Sequence, residues 1–155
     1  MRKWLLLFLL VTVLTGCGEN QAENPSGKER GTSMNQQEER LSFKQIPVET
    51  APQAVRDKAA ELRQRGSKGH EVVIEQTKTY VIISLGERST AGYRMEIQEV
   101  IRRGDRVEVR VREIKPPKDG FVAQVITVPV IVIELETDTP PRDVDVVFSE
   151  SPDVQ

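Results

Sequence analysis

Tyr93-Arg94-Met95-Glu96-Ile97-Gln98 and Arg106-Val107-Glu108-Val109-Arg110-Val111-Arg112, separated by a stretch ending in Arg102-Arg103-Gly104-Asp105, decide the fold of this chain. In both runs apolar residues recur at every second position, with charged or polar residues between them. A strand turns successive side chains to opposite faces, so each run has one dry and one wet face. The Arg-Arg-Gly-Asp stretch supplies a turn, with glycine where a positive φ is needed. Together they read as a half-buried β-hairpin. Val100 and Ile101 are adjacent and break the alternation, which predicts a bulge or bend there.

Working outward, Val72-Val73-Ile74 and Tyr80-Val81-Ile82-Ile83-Ser84-Leu85 are β-branched runs without alternation, as in strands covered on both faces. Lys115-Pro116-Pro117-Lys118-Asp119-Gly120 cannot continue a strand and reads as a loop. Phe121 to Leu135 reads as one long strand, with Pro129 marking an edge, a bulge or a break because it lacks a ladder donor. Upstream, a helix is expected over 51–65, capped by Thr50 with Gln53 completing a capping box and Pro52 in the first turn. Ala51, Val55, Ala59 and Leu62 form its apolar stripe, and Gly66 suits its C-terminal end. The expected fold is mainly β (α+β): an antiparallel sheet or small β-sandwich with one N-terminal helix packed against it. That domain is expected to span 41–136. The acidic, proline-bearing tail, 137–155, is expected to be flexible, with Val144, Val146 and Phe148 the residues spaced for a further strand.

Composition narrows the chemistry. The 155 residues carry 22 basic and 24 acidic side chains, without the basic excess of a nucleic-acid binder. One histidine and one cysteine exclude zinc clusters, haem attachment and disulfide frameworks. The N-terminus is more telling. Met1-Arg2-Lys3 precedes an apolar run from Trp4 to Leu14, too short to span a bilayer and matching the core of a secretory signal. Leu14-Thr15-Gly16-Cys17 follows and resembles a bacterial lipobox. That resemblance implies cleavage after residue 16, a diacylglyceryl thioether on Cys17, and a lipid-anchored location on the extracytoplasmic face of the bacterial cell membrane. Residues 17–40 then read as the anchor and a polar linker, whose 23 residues from Gly18 would hold the domain about 27 Å from the bilayer.

Candidate catalytic residues are few. His70, in Ser67-Lys68-Gly69-His70, lacks a nucleophile elbow nearby and reads as a surface loop histidine. Glu96 and Glu108 sit among arginines on the wet hairpin face, where cross-strand ion pairs explain them better than glycosidase carboxylates. No nucleophile–base or metal constellation assembles, so an enzyme is not expected, nor a cofactor or metal. The remaining candidate is Gly86-Glu87-Arg88-Ser89-Thr90-Ala91-Gly92-Tyr93. It joins two strands and ends in a glycine–aromatic pair. Arg88, Ser89, Thr90, Ala91 and Gly92 form a candidate partner-binding loop, with Tyr93 and Pro129 as structural anchors; a plain β-connection is the alternative.

That loop, the hairpin, Lys115-Pro116-Pro117 and Val125-Ile126-Thr127-Val128-Pro129-Val130 occur in the order seen in the C-terminal domain of protease complex subunit PrcB, which the chain resembles over about 71–136. Ala91 stands where that family places the first of two glycines. The resemblance implies a protein-interaction domain that supports assembly or stability of a secreted or membrane protease complex. Thr90-Ala91-Gly92-Tyr93 also resembles the loop of chagasin-type cysteine-protease inhibitors, without their preceding Asn-Pro, which implies an inhibitor instead. An envelope ligand-binding or structural module is the second class of function and an inhibitor the third.

Overall fold

The computed structural model describes residues 38–117 and 120–150. Cys17, the lipobox and the linker up to residue 37 lie outside the described residues, as do Lys118, Asp119 and the last five residues. The strands are β1 (Glu38–Arg40), β2 (Phe43–Ile46), β3 (Lys68–Glu75), β4 (Lys78–Leu85), β5 (Arg94–Arg103), β6 (Arg106–Ile114), β7 (Val130–Leu135) and β8 (Asp143–Glu150). The one α-helix among the described residues, α1 (Gln53–Arg65), follows a 3-10 turn at Val48–Thr50. Two four-stranded sheets stack face to face, one ordered β1-β5-β6-β8 and the other β2-β7-β4-β3. The expected small β-sandwich with an added helix is the observed architecture.

The pleat of β4 explains its unbroken apolar run. Val81, Ile83 and Leu85 point between the sheets, where they join Met95, Val100, Val107, Val109, Val111, Ile133, Leu135 and Val144. Tyr80 and Ile82 point the other way and, with Val132, receive Ala51 and the helix residues Val55, Ala59 and Leu62. A strand covered by a sheet on one side and a helix on the other has no wet face, so it has no reason to alternate. The edge strand β3 differs from expectation: Val72 and Ile74 are 37% and 52% exposed, because only β4 flanks it.

The β5–β6 hairpin forms as read, with its bulge slightly earlier. The register shifts between Ile97 and Glu99, leaving Gln98 as the extra residue. One inserted residue inverts the alternation beyond it, so Val100 turns inward and Glu99 outward toward Arg110 and Arg40. The outer face of this sheet is a charged lattice. Arg103 bridges Glu38 and Glu108 at 2.8 Å each, and Arg112 meets Glu96 at 2.6 Å.

Four further expectations give way. Thr50 does not cap α1: its hydroxyl donates to the Pro47 carbonyl within the 3-10 turn, and Pro52 occupies the cap position without a side-chain bond. Gly66 does end the helix, left-handed at φ 63°, with its N–H donating to Leu62 and Arg63 carbonyls. Phe121 to Leu135 is not one strand; only Val130–Leu135 joins a sheet, between β2 and β4. The stretch from 143 to 150 in the tail is ordered as β8, parallel to β6, so the folded unit runs past 136. Val144 is 8% exposed in the core, with Val146 and Phe148 packed against it. The folded unit also starts before 41, since β1 lies in the expected linker and pairs with β5.

Candidate functional site

The 86–93 loop begins at a glycine that no other residue could replace without strain. Gly86 has φ +76°, and a Cβ there would lie 2.7 Å from the Lys68 backbone nitrogen. The loop therefore presses against the end of α1 and the start of β3, and the Glu87 N–H donates to the Gly66 carbonyl at 2.9 Å. Buried Ser84 accepts the Gly86 N–H through its hydroxyl oxygen at 3.0 Å.

Arg88 comes next, and it is not the free surface residue the sequence suggests. It is half-buried, its Nε and Nη2 donating to the two carboxylate oxygens of Glu113 at 3.0 and 2.9 Å. Glu113 is 5% exposed, and the Lys68 ammonium approaches it at 3.5 Å. A paired guanidinium fork satisfies a carboxylate that burial would otherwise penalise heavily. The Arg88 guanidinium also lies 5.4 Å from the Tyr93 ring centre. Tyr93 is half-buried against the core and precedes β5 rather than starting its dry face.

A second loop backs the first. Arg88 and Thr127 exchange both backbone hydrogen bonds at 2.9 Å, Ala91 N–H donates to Ala123 C=O at 2.9 Å, and Thr127 hydroxyl donates to Thr90 C=O at 3.2 Å. Gly92, at φ +95°, stands where a Cβ would come within 3.0 Å of Pro116 and 3.5 Å of Val122. The Pro129 carbonyl accepts the Leu85 N–H at 3.1 Å, which sets the start of β7 against the end of β4. The segments 86–93, 115–117 and 120–129 thus converge at one end of the sandwich, as loops on a rigid scaffold commonly do. Of the expected contact residues, Ser89 and Gly92 are exposed, whereas Arg88, Thr90 and Ala91 are half-buried.

Sequence reading missed two parties here. Glu113 falls in the alternating run of β6, where nothing marks it as the buried partner of a residue 25 positions away. Phe121, Val125 and Ile126 have the composition of a strand, yet they stand 111%, 52% and 74% exposed in the second loop. The signal available was the run from Gly120 to Ile133, fourteen residues without a charge. His70 also departs from expectation: it lies within β3, with Nε2 2.9 Å from the Val144 carbonyl, bracing the two sheets at their open edge. Among the described residues, no three metal-ligating side chains come together.

Fold and loop cluster together define a helix-backed β-sandwich with joined loops at one end. Residues 79–136 match the family described as PrcB C-terminal. The match runs from Thr79 in β4 through β7 and includes both loops, while β1, β2, α1, β3 and β8 lie outside it. No curated protein and no solved structure matches the chain.

Proposed function

We propose that this chain is a lipid-anchored, extracytoplasmic, non-catalytic interaction domain that supports a secreted or membrane-bound protease complex. The observation that carries the reading is the PrcB C-terminal match over 79–136, which contains the paired loops. A polar linker behind Cys17 suits a domain held near a membrane yet free to meet a partner. Two acyl chains are needed for stable anchoring, which is what lipobox processing supplies.

The test uses the tagged full chain and its Cys17→Ser variant in a bacterial host. The wild type should incorporate labelled fatty acid and enter the detergent phase, while the variant should do neither. Wild-type protein in the aqueous phase, without acyl mass on its N-terminus, refutes the anchor. Purification of the wild type should bring down a protease whose activity or lifetime falls when the domain is withheld. Dose-dependent inhibition of that protease would place the chain with the inhibitors instead.

A further inference from the structure

The chain enters the described fold at β1, where Glu38 pairs with Arg103 beside the hairpin turn. From Arg103, β5 spans ten residues back to Arg94, about 33 Å at roughly 3.3 Å per residue. The paired loops sit at that far end, since 86–93 leads directly into β5. Their outermost apolar residues are Phe121, Val125 and Ile126, within ten consecutive uncharged residues from Gly120 to Pro129. Hydrogen bonds from Ala91 to Ala123, and between Arg88 and Thr127, pin the segment around the tip. Val122 is half-buried at Gly92 while its neighbour Phe121 is fully exposed. Patches of this kind on a folded surface mark interaction sites.

We propose that Phe121, with Val125 and Ile126 of the same loop, is a plug that seats in an uncharged apolar pocket on a partner protein. This plug, and not the polar 86–93 loop, supplies most of the affinity; identifying the partner as a protease rests on the function proposed above. An anionic membrane fits the tip poorly, because the chain has no basic excess and the tip lies opposite the end where the chain enters. A second copy fits poorly as well. The concavities of the described surface around Arg103 and Asp143, and around Glu39 and Asp138, are lined by charged side chains that an uncharged plug would bury without partners.

A photocrosslinking phenylalanine derivative placed in the full chain at 121, at 126, and at Arg106 on the opposite end tests the proposal in producing cells. Positions 121 and 126 should yield one protein adduct that Arg106 does not. Titrating that purified protein with the full chain should show at least tenfold weaker binding for Phe121→Asp. The melting temperature should not change, since the residue is fully exposed. Equal affinity for Phe121→Asp, adducts only with lipid or with a second copy, or Phe121-dependent sedimentation with phosphatidylcholine–phosphatidylglycerol vesicles would each overturn the plug. A tenfold loss toward a partner that is no protease upholds the plug and overturns the protease-complex reading. A co-purifying protease indifferent to Phe121→Asp does the reverse.

Discussion

Replacing Arg88 with alanine should destabilise the domain far more than a loop substitution ordinarily does. The change strips both hydrogen bonds from the Glu113 carboxylate and leaves only the Lys68 ammonium at 3.5 Å. Removing one member of a fully buried pair costs 3–5 kcal/mol, whereas an exposed pair is worth 0–1 kcal/mol, each figure a rough range. Here the side chains are 20% and 6% exposed, and a third charge remains, so about 2–3 kcal/mol is expected. At about 4 °C per kcal/mol for a domain of this size, the melting temperature should fall by about 8–12 °C. The assay is a double-mutant cycle by calorimetry: wild type, Arg88→Ala, Glu113→Gln, and both together. Glu113→Gln removes the charge that needs a partner, so the double variant should lose less than the sum of the singles, with a coupling of roughly 1–2 kcal/mol. Thr90→Ala is the control, since Thr90 contributes its backbone carbonyl and should stay within about 0.5 kcal/mol of wild type. An Arg88→Ala cost below about 0.5 kcal/mol, or strict additivity, would refute the pair as the element holding the loop.

Gly86→Ala should cost roughly 3 kcal/mol, combining a positive φ with a 2.7 Å approach to backbone, while Gly104→Ala, at φ +62° in open space, should cost about 1 kcal/mol; chemical denaturation of both separates strain from collision. Truncation after Arg142 removes β8 and the burial of Val144, Val146 and Phe148, so urea melts should show a loss of about 3–5 kcal/mol, and full-length stability in the truncated chain would mean β8 is dispensable. Glu96 and Glu108 are held below the ordinary glutamate value of about 4.5, the first chiefly by its hydrogen bond from Arg112, the second by those from Arg103 and Arg110. A depressed carboxylate contributes stability above its unfolded value and loses it as pH falls through the folded one. Melting temperature should therefore hold from pH 7 to about 5 and decline below 4.5, less steeply in Glu108→Gln.

Much of the fold was legible because hydrophobic period reports burial directly. The hairpin residues Met95 to Val111 alternate because one face meets the other sheet and the other meets water. Tyr80 to Leu85 do not alternate because helix and sheet cover both faces, and the helix stripe, its Gly66 end and the two-layered class could be read from such local periods. Other features depended on contacts between residues distant in sequence. Val72-Val73-Ile74 looks like β4, yet becomes an edge because the sheet ends there. Whether Asp143 to Glu150 hangs free or pairs depends on β6 offering an open edge, and parallel pairing needs a crossover that no local pattern encodes. Similarly, Phe121, Val125 and Ile126 have the composition of a strand, yet their segment bonds to the 86–93 loop and not to a sheet. Arg88 and Glu113 each resemble residues of a solvated face, and became a buried pair only when the folded chain brought loop and strand together. Side-chain period is a local property written along the chain; partnership across the sandwich is a long-range one, decided by which edges and loops the packed sheets bring within reach.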